Sequence, residues 1–173
     1  MLYKYTIAVS LKSTLVFAVL FFVACGCVPS IYQVVNEQSY QKAVNLPNQK
    51  KIIFINSEQV PNSDQWVTLL NKKRGVQIDD QLKQVKDANT YAFLQSIRLL
   101  LEMKYALSLQ KLNSLPDTAF DCQAMLLKTD CLYMLQMNSV DFRDSYQKVF
   151  DCSQNEKIKS IAETRYRFVK YGY

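Results

Sequence analysis

The chain has 173 residues, a formal net charge of +6 and a hydrophobic fraction of 49%. This size suits one domain with its own core and argues against global disorder. Three glycines and four prolines are too few for the many tight turns of an all-β fold. Histidine is absent, which excludes Ser–His and Cys–His nucleophiles and most catalytic zinc sites.

The amino terminus has the organisation of a secretory signal. Lys4 and Lys12 supply positive charge, and an apolar run follows from Thr14 to Val23. A run of about ten apolar residues is typical of a signal peptide, whereas a membrane-spanning helix needs about twenty. Removing residues 1–24 takes away two lysines and no acid, so the net charge falls from +6 to +4. This modest excess does not indicate a nucleic-acid partner.

The apolar run ends in Phe22-Val23-Ala24-Cys25, which resembles the lipobox of bacterial lipoproteins, with phenylalanine where leucine is usual. The resemblance implies that residues 1–24 are a signal peptide and that Cys25 carries fatty acyl chains such as palmitate. Gly26 follows the cysteine, so the resemblance also implies sorting to the outer membrane, facing the periplasm or exposed at the surface. The alternatives are an uncleaved anchor, a signal cut without lipidation, and lipidation of Cys27.

A tether and a helical domain are predicted after the signal, and the domain begins with two short elements. Residues 25–36 are expected to form a lipidated tether, and residues 37–173 a helical domain. A short helix is predicted near Glu37 to Val44. The β-branched and aromatic residues around Ile52–Ile55 then predict one short strand. No partner strand is evident, so an extended segment packed on helices is an equal alternative.

The rest of the chain is predicted to be nearly continuous helix. Asn62-Ser63-Asp64 marks a helix start, and Gly75 is expected to cap that helix at its carboxyl end. From about Asp79, apolar residues recur at helical spacing, interrupted at Pro116-Asp117 and at Asn138-Ser139. These patterns predict antiparallel helical hairpins and a mainly α fold.

The hairpin formed by residues 126–150 resembles a tetratricopeptide repeat. Small residues, among them Cys131 and Ser145, stand where that family brings two helices close together. A weaker copy covers residues 97–115, so the repeat-like part would span about residues 88–173. The family's usual glycine is missing. The resemblance implies stacked hairpins with a concave surface, and an irregular helical bundle is the alternative.

No catalytic, cofactor-binding or metal-binding residue is predicted. Ser39-x-x-Lys42 and Ser145-x-x-Lys148 match the nucleophile motif of penicillin-binding enzymes, but the companion motifs are missing. Asp79 and Asp141 precede helical stretches and are interpreted as helix caps. The sequence therefore favours a protein that is not an enzyme.

The last helix carries a cluster of basic and aromatic residues that is a candidate partner surface. Such interleaving can bind nucleic acid, but an envelope compartment makes a protein or a lipid headgroup the expected partner. A solvated helix end is the alternative. The candidate residues are Arg165, Tyr166, Arg167, Lys170 and Tyr171.

Three cysteines remain once Cys25 is assigned to lipid and Cys27 to the tether. Cys122 and Cys131 are nine residues apart on one helix, about 13 Å, which is too far for a disulfide. In an antiparallel hairpin that turns near Asn138, Cys122 lies level with Cys152. Any bridge is therefore expected between Cys122 and Cys152, and the alternative is that all three are buried packing residues.

Together these features predict a non-enzymatic lipoprotein of the cell envelope. It would bind another envelope protein as an accessory or assembly factor of a secretion, pilus or outer-membrane assembly machine. Two alternatives remain open. One is a surface exclusion or immunity lipoprotein that blocks a receptor or toxin. The other is a small peptidoglycan-acting enzyme, or its inhibitor, that uses Glu102, Glu156 or Glu163.

Overall fold

A computed structural model describes residues 31–45, 51–137 and 140–171. This part of the chain holds eight helices and two strands, so the prediction of a mainly helical fold is confirmed. In chain order the elements are β1 (Tyr32–Val35), α1 (Glu37–Val44), β2 (Lys51–Phe54), α2 (Ser63–Asn71), α3 (Gly75–Leu82), α4 (Ala88–Leu101), α5 (Tyr105–Leu112), α6 (Gln123–Met134), α7 (Phe142–Cys152) and α8 (Glu156–Tyr171).

The strand predicted near Ile52 has a partner that the sequence did not reveal. β1 and β2 pair in parallel, with Val34 opposite Ile53 and Val35 opposite Phe54. These four residues are all fully buried, as expected for a parallel sheet covered on both faces. The tether predicted over residues 25–36 is therefore too long at its carboxyl end, because residues 32–36 belong to the packed fold.

Side chains from distant helices cover both edges of this small sheet. On the β1 edge, the Asn71 amide accepts a hydrogen bond from Val34 N (3.0 Å) and donates one to Val34 O (2.7 Å). On the β2 edge, Arg165 donates to Ile52 O (2.9 Å) and Gln123 donates to Phe54 O. An exposed strand edge is a template for pairing with another chain, and these bonds satisfy backbone groups that would otherwise be open.

The sheet separates two hydrophobic cores. The first core packs one face of the sheet, including Val34 and Ile53, against helices α2 to α6. The second core packs the other face, including Val35 and Phe54, against α1, α7 and α8. Helix α6 contributes to both cores, with Leu127 in the first and Leu126 in the second. A helix that is apolar on more than one side is expected at such a central position.

The first helix of each hairpin ends in a left-handed residue that is not glycine. In each, the residue after the C-cap has positive φ, and the following N–H reaches back five residues, as Lys104 N does to Leu99 O (2.9 Å). This is the Schellman arrangement, in which glycine is usual. The left-handed residues are Lys73, Met103 and Gln136. The prediction that Gly75 caps a helix is wrong, because Gly75 begins α3.

From α4 to α8, each helix packs on the next one in the chain. These helices contain 14, 8, 12, 11 and 16 residues, so the bundle is irregular. Their order in space follows their order in sequence, which is compatible with a helical repeat.

Candidate functional site

A buried group of charges lies between α6 and α8. Asp130 on α6 is fully buried, and both of its carboxylate oxygens accept from Arg165 Nε, at 2.9 and 3.0 Å. The Tyr146 hydroxyl donates to the same carboxylate at 2.8 Å. Buried charges are tolerated only when paired and hydrogen-bonded, and this network satisfies that requirement.

The network corrects the predicted partner surface. Arg165 was expected on that surface, but it is only 5% exposed, because its guanidinium binds Asp130 and Ile52 O. Burial acts to lower the pKa of Arg165, but the attraction of Asp130, Tyr146 and Tyr32 together with the hydrogen bond to Asp130 outweighs it, and the pKa is raised. Burial, followed by the nearby Asp130, raises the pKa of Tyr146. Arg165 therefore stays charged and Tyr146 stays neutral at physiological pH.

An apolar groove opens beside the network. It lies between α1, the first residues of β2 and α8, and its volume is about 440 Å³. Ala43 and Val44 form its α1 side, and Ile161, Phe168 and Val169 form its α8 side. Val44 and Phe168 keep 49% and 41% of their surface exposed, so apolar surface continues to the rim. We call this hollow the α1–α8 groove.

Lys51 places a cation in the groove. Its Nζ lies 4.8 Å from the ring centre of Tyr133 and 5.8 Å from those of Tyr32 and Phe168. Burial lowers the pKa of Lys51 below its ordinary value. Within residues 31–45, 51–137 and 140–171, no carboxylate forms a salt bridge with Lys51. The aromatic rings stabilise the ammonium group without neutralising its charge.

The remaining predicted partner residues lie on a different side of α8. Tyr166, Arg167 and Tyr171 line a shallow hollow of about 270 Å³, with Phe150 of α7 opposite them. Lys170 Nζ lies 5.6 Å from the Tyr166 ring centre and 5.0 Å from that of Tyr171. We call this surface the α7–α8 face. The structure therefore brings together four of the five predicted residues and removes Arg165 from the set.

Cys122 and Cys152 are joined by a disulfide, with their Cα atoms 6.1 Å apart. Cys122 lies immediately before α6 and Cys152 is the last residue of α7, so the bond ties the two ends of an antiparallel hairpin. Cys131 is free and buried in the first core, and burial raises the pKa of its thiol to about 11. A thiol in this state is a poor nucleophile.

The segment before α6 adopts a strained conformation next to the disulfide. Phe120, Asp121 and Cys122 have φ values of 54°, 55° and 66°, which are left-handed and unfavourable for residues with a Cβ atom. The Asp121 carboxylate accepts hydrogen bonds from the loop before α8, at Ser153 Oγ (2.6 Å) and Asn155 N (2.8 Å). The disulfide and this carboxylate hold the strained segment against the α7–α8 turn.

The residues considered for catalysis have structural roles. The Ser39 hydroxyl forms a capping box with Asn36, and the Ser145 hydroxyl donates to Asp141 O. Asp141 caps α7 as expected, whereas Asp79 lies inside α3 and forms an ion pair with Arg98. The Ser-x-x-Lys matches are therefore ordinary helix residues.

The three candidate glutamates form ion pairs along or near their own helices. Glu102 pairs with Arg98 and Lys104, Glu156 pairs with Lys159, and Glu163 pairs with Arg167. None of the three lines the α1–α8 groove. Over the described ranges, no group of three acidic or cysteine side chains could hold a metal ion.

The proposed lipidation site, Cys25, lies outside the described residues, as do the signal segment and Cys27. None of the helices within residues 31–45, 51–137 and 140–171 is long and apolar enough to cross a membrane. The chain matches no protein-family model, and no curated protein or solved structure is detectably similar to it.

Proposed function

We propose that this protein is a non-enzymatic lipoprotein of the bacterial cell envelope, anchored through Cys25, and that it binds another envelope protein through the α7–α8 face. In this role it serves as an accessory or assembly factor of a membrane-associated machine. The observation that carries the proposal is the cluster of aromatic and cationic side chains around one hollow on α8.

The composition of the α7–α8 face is that of a protein interface. Phe150 and Tyr171 are 37% and 52% exposed, so both present aromatic area at the surface. Tyrosine and arginine dominate the residues whose truncation weakens interfaces most, and aromatic residues in general are enriched there. These side chains supply contact area without any reacting group.

The charges of the face favour an acidic partner. Arg167 is paired with Glu163 on the preceding turn, which neutralises it. Lys170 packs against the rings of Tyr166 and Tyr171, and no salt bridge to it occurs among the described residues. A carboxylate on the partner could pair with Lys170 at the edge of the hollow.

The arrangement of the helices supports the repeat interpretation. Helix α4 begins at Ala88, α6 at Gln123 and α8 at Glu156, so successive hairpins start 35 and 33 residues apart. Tetratricopeptide hairpins recur about every 34 residues, and such stacks bind proteins without catalytic groups. In this interpretation α4–α5 and α6–α7 are two hairpins, and α8 is the terminal capping helix.

Site-specific photo-crosslinking in cells tests the binding surface. A benzoylphenylalanine residue at Phe150 or Tyr166 should form one discrete crosslinked product, and the same probe at Tyr91 on α4 should not. Adding Lys170→Glu should abolish the product, because the charge that attracts an acidic partner is reversed. Equal crosslinking from Tyr91, or none from the α7–α8 face, would exclude this face as the binding site.

The anchor is tested separately. Cys25→Ser should leave the protein without acyl mass, either as a soluble protein or as an uncleaved precursor, because the acceptor of the lipid is gone. Cys27→Ser is the matched control and should behave like the parent protein. Intact mass spectrometry with fractionation decides, and a parent protein that lacks acyl mass would overturn lipidation at Cys25.

A further inference from the structure

We propose that the α1–α8 groove is a binding site for a single-chain carboxylate amphiphile, whose carboxylate pairs with Lys51 and whose hydrocarbon chain lies along the apolar walls. The groove and the α7–α8 face are lined by different residues of α8, and the one residue that lines both is Tyr146 of α7. The inference is therefore independent of the proposed function.

The size and lining of the groove suit a small ligand. Its volume of about 440 Å³ lies within the 300–1,000 Å³ that is usual for sites binding small molecules. Such sites have mostly apolar walls with a few polar groups that orient the ligand. Here the walls include Val44, Ile161 and Phe168, and the orienting groups are Lys51 and Arg165.

The charges of the groove call for an anion. Arg165 is neutralised by Asp130, whose two carboxylate oxygens share the Nε–H donor, so this pair leaves no net charge. Lys51 then remains as a single positive charge, partly withdrawn from water and facing three aromatic rings. A carboxylate in the groove would supply the opposite charge and accept hydrogen bonds from Nζ in a poorly hydrated site.

The form of the ligand follows from the same residues. Lys51 and Arg165 are the cations that line the groove, and Asp130 already neutralises Arg165, so a second carboxylate would find no counter-charge there. This argues against a dicarboxylate or a polyanion. The apolar rim at Val44 and Phe168 continues the walls outward, so a chain longer than the cavity would remain against apolar surface. One carboxylate at Lys51 with one unbranched chain satisfies both conditions.

The test is isothermal titration calorimetry of the full-length mature protein carrying Cys25→Ser, so that no acyl chain of its own is present. The probes are dodecanoate and dodecyltrimethylammonium, each below its micelle concentration, and the uncharged methyl ester of dodecanoate, below its solubility limit. Dodecanoate should bind one to one and about tenfold more tightly than the ester, and the cation should not bind. Equal binding of dodecanoate and its ester, or no binding of dodecanoate, would overturn the proposal.

Four variants locate the site. Lys51→Met should remove the preference for dodecanoate over the ester, and Lys51→Arg should retain it. Thr164→Trp, a substitution at an exposed groove position on α8, should weaken the binding of both dodecanoate and its ester by filling the hollow. Lys83→Met removes an exposed lysine elsewhere and should change nothing. Circular dichroism confirms that each variant is folded, and unchanged dodecanoate binding by folded Lys51→Met would also refute the proposal.

Discussion

The two cores on either side of the sheet are built on different principles. The first core consists mainly of apolar side chains, from Val34 and Ile53 of the sheet to Leu127 of α6. Its buried hydroxyls, Ser96 and Ser108, are uncharged and donate to backbone carbonyls. The second core surrounds the ion pair of Asp130 and Arg165. An apolar core depends on area removed from water and tolerates many arrangements of similar side chains. A buried ion pair depends on two particular groups meeting at hydrogen-bond distance.

A covalent bond and a strained segment also lie beside the second core, although left-handed residues occur elsewhere too, at Lys73 and Met103. The Cys122–Cys152 disulfide, the left-handed residues before α6 and the Asp121 carboxylate all lie where α6, α7 and α8 meet. These specific bonds determine how α8 sits, and α8 carries both the α1–α8 groove and the α7–α8 face. The first core supplies a scaffold, whereas the second positions the candidate binding surfaces.

Breaking the ion pair should have the largest effect on stability. Arg165→Met leaves the Asp130 carboxylate buried without its counter-charge, which should cost about 3–5 kcal/mol of unfolding free energy. The double variant Asp130→Leu, Arg165→Met removes both charges and should recover most of this loss. Urea denaturation followed by circular dichroism measures both. A single variant that loses less than about 1 kcal/mol would show that the charges are not isolated from water.

Truncating an apolar residue should harm the first core in a different way. Leu127 is fully buried, so Leu127→Ala should cost about 2–5 kcal/mol through lost burial and a cavity. Leu107 on α5 is 51% exposed, and Leu107→Ala should stay within about 0.5 kcal/mol. The same denaturation experiment compares them, and equal losses for the two leucines would contradict the placement of Leu127 in the core.

Removing the disulfide should have the smallest effect of the three. The bond links residues 30 positions apart, so the double variant Cys122→Ser, Cys152→Ser should lose about 2–4 kcal/mol. Without a reductant the parent protein should be more stable than the variant by this amount. Adding a reductant should lower the parent's free energy of unfolding to that of the variant. A reductant that leaves the parent's stability unchanged would mean that the bond contributes nothing.

Peptide mapping without reductant sharpens the same comparison. Cys131 should react with iodoacetamide only after unfolding, because it is buried and its pKa is raised to about 11. Cys122 and Cys152 should not react at all before reduction. Alkylation of either in the folded, unreduced protein would rule out the bridge.

The helices were predictable because their signals are local. Apolar residues at helical spacing identified the stripe of Leu127 and Cys131, and the acid before α7 identified the cap at Asp141. The left-handed ends were missed because Lys73 and Met103 stand where glycine is expected. Packing against neighbouring helices imposes that conformation, and the residue type alone does not predict it.

The candidate site was only partly predictable. The basic and aromatic cluster on the last helix pointed to α8, but nothing in that cluster distinguished buried Arg165 from Arg167. Asp130 offered a signal, since it is a lone acid between Leu127 and Cys131 on a helix buried on several sides. An acid in such a position requires a cation from elsewhere in the chain. How the helices pack decides which cation pairs with Asp130.

By itself the sequence determined the helical class, most helix positions and the hairpin register that sets Cys122 level with Cys152, because these follow from periodicity and short connections. Only the tertiary structure decided the rest. β1 pairs with β2 across α1, Gln123 reaches Phe54 over 69 positions, and Arg165 reaches Ile52 over 113. No local pattern specifies a partner at that distance, since hydrogen bonding is satisfied by any suitable group that packing brings within reach.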